Sequence, residues 1–219
     1  MRLMAVGAHP DDVEVGCGGL LAMEGIAKHI VHLSNGETSK YADGQTRKAE
    51  AEAAAGILGA DVRFFGIPGR RIVPDDRSCL RLITLIREIK PDFLLTHWER
   101  DGHPDHVGAH QLVRRAFYLS GAKIDMAPPP WRCRNLLYFH PFSSGYGFVP
   151  EFVLDITAVY AKKLEALHCH RSQESFVIPQ VEAVSRYFGH NSGVERAEPF
   201  RAEVPLVIDP GHFVGGGER

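Results

Sequence analysis

Short apolar runs alternate with amphipathic stretches over the first 120 residues of the chain. Residues 3–8 form an apolar run of strand length that ends in a polar, glycine-rich turn, and residues 19–28 read as the helix that follows. The pattern recurs. Residues 30–33 predict a second strand, residues 45–58, rich in alanine and glutamate, a helix closed by Gly59, and residues 62–65 a third strand. Leu82, Leu85, Ile86 and Ile89 share one face of a helix that Ser78 can cap and Pro91 stops, ahead of a strand over 93–97. A helix from about His106 to Leu119 turns Leu112, Val113, Ala116 and Phe117 inward.

Strands and helices alternating at these spacings imply parallel pairing with right-handed crossovers. Residues 1–120 therefore predict a Rossmann-like, three-layer αβα core around a mainly parallel sheet. Beyond it the pattern loosens. Pro128-Pro129-Pro130 marks a turn, residues 135–139 and 152–156 are strand-like, and residues 157–168 predict a helix. Residues 172–200 mix a loop with a helix near 180–188. This smaller, irregular portion, 121–219, is expected to complete a pocket and to supply subunit contacts, with the whole chain one domain. The tail around Gly215-Gly216-Gly217 is expected to be disordered.

Composition narrows the classes of function. The chain has 219 residues, 44% of them apolar, enough to bury a core without a staple. With 25 basic and 27 acidic residues the net charge is -2, which provides no footprint for nucleic acid or an anionic membrane. The four cysteines form no CxxC pair, and no run nears the ~18 apolar residues of a membrane span, so a cytoplasmic protein with reduced thiols is expected. Twelve histidines favour metal or acid-base chemistry without locating it.

Location comes from two loops. His9-Pro10-Asp11-Asp12 follows the first strand, and His103-Pro104-Asp105-His106 follows the strand over 93–97. In open α/β sheets ligands gather at the carboxyl ends of strands. If these two strands are neighbours, three histidines and three aspartates meet in one crevice. Imidazoles with one or two carboxylates make a zinc site that keeps a position open for water. Adjacent aspartates point different ways at a turn, so one can ligate while the other takes the water proton. Taken singly, either loop reads equally as a cap for the following helix. A phosphate cradle fits less well, because Gly16, Gly18 and Gly19 come late and behind Asp11, Asp12 and Glu14.

"AHPDD" followed about ninety residues later by "HPDH" resembles the LmbE-like, or PIG-L-type, zinc-dependent N-acetylglucosaminyl deacetylases. "TRKAEAEAAAGILGA", "HRSQ" and "YFGHNSGVERAEPF" resemble the bacterial branch that includes the bacillithiol-biosynthesis deacetylase. The resemblance implies that His9, Asp12 and His106 bind Zn2+, a site that also suits Fe2+, with Asp11 as general base. It further implies that His103, held and charged by Asp105, stabilises the oxyanion or protonates the leaving amine, and that Arg47 contacts substrate. A homo-oligomer, hexameric in bacterial relatives, follows from the same likeness. The implied reaction is deacetylation of an N-acetylglucosamine-type substrate, with N-acetylglucosaminyl malate as the specific expectation and chitobiose, an inositol-linked or an antibiotic sugar as the alternatives from neighbouring branches. A nucleotide-binding Rossmann module and a metal-binding assembly protein are the rival classes.

Other polar residues stand further from this chemistry. His110 falls one helical turn after His106, His97 ends a strand beside the crevice, and His168 and His170 are placed at a helix end. Residues 98–101 lead into His103 as an access loop or a solvated one, Cys17 reads as a packed small residue, and Glu14 and Glu37 as supporting groups. Loops 36–45 and 66–76 should rim the pocket, with Arg70 and Arg71 able to meet an anionic substituent. Residues 142–148, flexible and aromatic, suit a lid or a subunit contact.

Overall fold

A computed structural model describes residues 1–142 and 145–206; the glycine tail and Ser143-Ser144 lie outside the described residues. Among the described residues seven strands form one sheet: β1 (Arg2–Gly7), β2 (Ala27–His32), β3 (Asp61–Phe64), β4 (Phe93–Thr96), β5 (Asn135–Phe139), β6 (Phe152–Asp155) and β7 (Ala197–Ala202). Their order is β3-β2-β1-β4-β5-β7-β6. The first five run parallel, and β7 lies antiparallel to both its neighbours. The helices are α1 (Asp12–Ala22), α2 (Gly44–Leu58), α3 (Asp76–Ile89), α4 (Pro104–Ser120), α5 (Tyr160–Cys169) and α6 (Glu174–Asn191).

Strand alternation sorts the core into two layers. Met4 and Val6 of β1 face Leu82, Ile83 and Ile86 of α3 and Leu112 and Val113 of α4. Leu3 and Ala5 face the other way, onto Cys17 and Leu21 of α1, Ala54 and Leu58 of α2, and Ala166 of α5. The result is the expected αβα arrangement, and the C-terminal portion extends the same sheet by three strands. Among the described residues no helix is long and apolar enough to cross a membrane.

Three local expectations change. Helix α1 begins at Asp12, not at Gly19, so Gly16, Gly18 and Gly19 lie inside it rather than in a turn. Their use is close approach: a Cβ at Gly16 would collide with the Phe139 ring, and one at Gly19 with Ile156. Helix α3 is capped by Asp75, whose carboxylate accepts from Ser78 N at 2.9 Å, so Ser78 is a first-turn residue. Strand β7, sequence AEPFRA, has no alternation to betray it. It is fixed by the buried Glu198 carboxylate, which accepts from Gly19 N (2.6 Å), Leu20 N (2.9 Å) and Lys163 Nζ (2.6 Å).

Helix α4 approaches the loop after β3 so closely that a Cβ at Gly108 would collide with the Ile72 carbonyl oxygen. Backbone cannot yield as a flexible side chain does. Gly108→Ala is expected to cost about 2–3 kcal/mol, comparable to overpacking elsewhere in protein interiors. Denaturant unfolding checks this, and an unchanged midpoint would show that the loop moves freely.

Candidate active site

Strands β1 and β4 pair in parallel at the point where the sheet order turns outward in both directions, so their carboxyl-end loops open into one crevice. This supplies the adjacency that the sequence left conditional. His9 N donates to Asp12 Oδ2 at 2.7 Å, folding the loop so that Asp12 lies between three imidazoles. Its carboxylate is 3.4 Å from His9 Nδ1, 3.3 Å from His106 Nε2 and 3.3 Å from His97 Nε2. His106 Nδ1 lies 3.0 Å from Asp101 Oδ2, which fixes the ring with Nε2 toward Asp12.

Electrostatics follow from this crowding. Burial alone would raise Asp12, but His106 and His97 hold it well below the usual carboxylate range. Burial alone would lower His9, yet Asp105 and Asp12 raise it to about 9; His106, against the same burial, is raised to about 10 by Asp12 and Asp101. His97 goes the other way. Burial and the neighbouring His106 lower it to about 4, and its Nε2 accepts the Ala8 N–H at 3.0 Å, so it supports the loop rather than offering a free lone pair.

Asp11 stands apart from its neighbour. It occupies φ 113, a region costly for a residue with a side chain, and its own side chain makes no cap bond to α1. Its carboxylate turns to Arg47, 3.0 Å away, and Arg47 also donates to the Pro10 carbonyl. Burial pushes the Asp11 carboxyl up, against the pull of Arg47. Arg47, in the first turns of α2, is thus buried and engaged rather than solvated.

The expected coupling of His103 to the Asp105 carboxylate is not what the fold builds. Asp105 Oδ2 lies 3.0 Å from His9 Nε2 and accepts from Arg70 N at 2.6 Å, while Oδ1 accepts from Ile72 N. Only the backbone of Asp105 meets His103, its N–H donating to His103 Nδ1 at 3.1 Å. Burial, with the charges of His106 and His9, pushes His103 below the usual histidine range. His103 is therefore a neutral ring whose Nε2 carries the proton, a donor by tautomer and not by charge.

Several supporting residues were weakly signalled or missed. The Asp101 side chain is buried and accepts from His103 N at 2.8 Å besides facing His106; an acid five residues before a histidine has no distinguishing pattern. Glu14 and His170, both fully buried, face each other at 3.5 Å behind Asp11, a contact between α1 and the turn before α6 that no local spacing reveals. Glu37 ties the loops after β2 and β3 by accepting from Gly69 N at 2.6 Å. His110 faces away, its Nδ1 against His97 O and its ring against Tyr138. His168 pairs with Glu174 at the surface. Tyr146, in the aromatic 142–148 stretch, is pinned through its backbone to Arg100 O and Trp98 Nε1.

A cavity of about 430 Å³ opens at this site, lined by His9, Arg47 and His103 and by Lys40, Arg70 and Phe176. The donor set suits a divalent cation. Ring nitrogens of His9, His103 and His106 lie within 4.8 Å of one another, as do ligand atoms of Asp12, His97 and His106. His9, Asp12 and His106 mix two imidazoles with a carboxylate, and Asp101 and Asp105 hold the far ring nitrogens as outer partners do in metal sites. Because His9 and His106 are protonated at neutral pH without metal, uptake at pH 7 is expected to release about two protons. The release falls away above about pH 10, and calorimetry in buffers of differing ionisation enthalpy measures it. Release near zero would show that these rings are not charged beforehand.

Fold and site together define an α/β protein with a His/Asp metal-type cluster at the carboxyl edge and a strained, buried carboxylate beside it. The chain belongs to the PIG-L family: residues 4–117 match its GlcNAc-PI de-N-acetylase model. It is 33% identical over 195 residues to the 4-oxalmesaconate hydratase of Pseudomonas putida, covering 78% of this chain and 73% of that one. It is 31% identical over 175 residues to the 1D-myo-inositol 2-acetamido-2-deoxy-alpha-D-glucopyranoside deacetylase of Thermobispora bispora, covering 63% of this chain but only 58% of that longer one. The crystal structure of a conserved protein from Thermus thermophilus superposes with a TM-score of 0.87 at 32% identity, over 95% of this chain and 97% of that one.

Proposed function

We propose that the protein is a zinc-dependent amidohydrolase that removes acetate from an N-acetylglucosamine conjugate, N-acetylglucosaminyl malate on the bacillithiol route being the specific substrate. The observation that carries the reading is Asp11: a carboxylate whose pKa burial pushes up, clamped by Arg47 and next in the chain to the Asp12 that joins His9 to His106.

His9, Asp12 and His106 would hold a divalent ion, which when bound would supply Lewis acidity, lowering the pKa of water to ~7 and polarising an amide carbonyl. Asp11 accepts the water proton as the oxygen adds to the acyl carbon. His103 lines the cavity and donates from Nε2 to the oxyanion that develops there, an effect of about 3 kcal/mol for one well-aimed donor. The C–N bond then breaks, and the proton held on Asp11 leaves with the amine, so acetate and amine account for all atoms of amide and water. Asp105 contributes by holding His9 through its carboxylate and the His103 ring through its backbone N–H.

A second reading follows from the Pseudomonas putida relative. The same base delivering water to an activated double bond is a hydratase. The two separate cleanly in one assay set: acetate release from N-acetylglucosamine conjugates, and loss of enone absorbance from 4-oxalmesaconate, each with zinc supplied or chelated. Acetate from a conjugate is expected. Turnover of the unsaturated acid alone would replace the deacetylase reading.

A further inference from the structure

The upper wall of the cavity carries charge that the chemistry below does not use. Lys40, from the loop after β2, and Arg70, from the loop after β3, both line it. Every acidic side chain of the floor is already engaged: Asp11 with Arg47, Asp12 with His9, His97 and His106, and Asp105 with His9 and two backbone N–H groups. Glu37, beneath the rim, accepts from Asn35 N and Gly69 N. No carboxylate among the described residues lies within ion-pair distance of Lys40 or Arg70; Lys40 instead sits 4.9 Å from the Tyr41 ring.

Arg70 is held there at a cost. Its φ is 63, a left-handed conformation that glycine adopts freely and that side chains resist. The conformation belongs to a tight turn closed by Arg71 N donating to Pro68 O, and Arg70 N in that turn donates to Asp105 Oδ2, 2.6 Å away, the oxygen that also meets His9. A glycine would satisfy the backbone alone. The arginine at this position therefore points to use of its guanidinium, and a planar fork and an ammonium lining one concave cavity are suited to carboxylate or phosphate oxygens. Tyr41 and Phe176 rim the same mouth and are well exposed, giving apolar edges around the cationic wall.

We propose that Lys40 and Arg70 form an anion-recognition wall that makes the enzyme select conjugates whose aglycone carries carboxylate or phosphate groups over those with a neutral aglycone. This rests on the deacetylase reading for the scissile group, and it assigns the selection among conjugates to these two side chains.

The test compares zinc-loaded wild type with Arg70→Asn, which tolerates the left-handed backbone, and Lys40→Gln. Three substrates are used: N-acetylglucosaminyl malate, N-acetylglucosamine 1-phosphate and methyl N-acetylglucosaminide. Wild type is expected to favour an anionic conjugate over the methyl glycoside by tenfold or more in kcat/KM, and the malate and phosphate arms show which anion fits. Each variant is expected to cut that preference about tenfold through KM, with a weaker dependence on salt. A wild type without the preference, or variants that keep it, overturns the proposal. Calorimetric binding of succinate to the same proteins separates the two claims. If no conjugate is hydrolysed but succinate binding weakens about tenfold in both variants, the wall stands and the deacetylase reading falls; succinate binding equal in all three proteins overturns the wall.

Discussion

Asp11→Asn is expected to lower kcat for acetate release by about 10²–10⁴-fold, the span general-base catalysis contributes, while the chain keeps its metal. Asparagine preserves size and still accepts from Arg47, but it cannot take a proton. Asp11 touches none of the imidazoles that surround Asp12, so the donor set survives the change. Elemental analysis beside the kinetics decides the matter, and normal turnover by a metal-replete variant would remove Asp11 from the mechanism. The pH profile gives the same test a sign. Burial raises Asp11 above the ordinary carboxylate pKa, so wild-type kcat/KM should fall on the acid side at a pH higher than an exposed aspartate would give. Arg47 opposes that rise. Arg47→Met should therefore move the acid limb further up in pH, which a purely structural arginine would not do.

The strain at this site has a common origin. Of the three non-glycine residues with positive φ among those described, Arg70 lines the cavity and Asp11 pairs with Arg47, another of its lining residues, while Lys90 ends α3. Each of the first two sits beside a bond that orders the site. Asp12 must turn back to receive His9 N, leaving Asp11 to face Arg47; Asp105 must receive Arg70 N to stay on His9. About 1–3 kcal/mol of strain per residue is sustainable only where surrounding contacts over-determine the backbone. Here those contacts are the same ones that order the imidazoles.

The alternation of apolar runs made the core legible, because β1 to β4 are flanked by helices whose apolar faces repeat at 3.6 residues. The paired loops were legible as well, since histidine and aspartate at strand ends have few cheaper uses. What could not be read was any arrangement made by distant backbone. Asp105 binds the backbone of residues 70–72 instead of the His103 side chain because α4 packs on that loop through Gly108, a contact invisible to local spacing. His97, read as ending a strand beside the crevice and as a supporting residue there, does support the first loop, through Ala8 N and Asp12. Strand β7 escaped because its partners, β5 and β6, are supplied from more than forty residues upstream. The glycines of "EVGCGG" misled for a related reason: they serve contact with Phe139 and Ile156, residues far along the chain.

His106→Gln should abolish metal retention, with elemental analysis finding the purified variant empty under conditions that load wild type. His106 is the one residue shared by both clusters of potential ligands, and its two ring nitrogens face Asp12 and Asp101 on opposite sides. Loss of an outer partner typically weakens metal binding by about 10–100-fold, so Asp101→Asn should retain partial occupancy where His106→Gln retains none. That ordering distinguishes a ligand from its support. Stability of the metal-free protein adds an independent reading. In the wild type His106 is raised to about 10, so its contribution to folding is full below the unfolded histidine value of 6.5 and fades as pH climbs through about 10. The glutamine variant lacks that term and leaves Asp12 and Asp101 without their shared cation. Its metal-free unfolding free energy should therefore be lower at pH 6 by a few kcal/mol, about the cost of breaking a buried pair, and should converge on wild type above pH 10. A variant that binds zinc fully, or one whose deficit in stability is the same at both pH values, would show that His106 neither ligates nor carries the charge its surroundings favour.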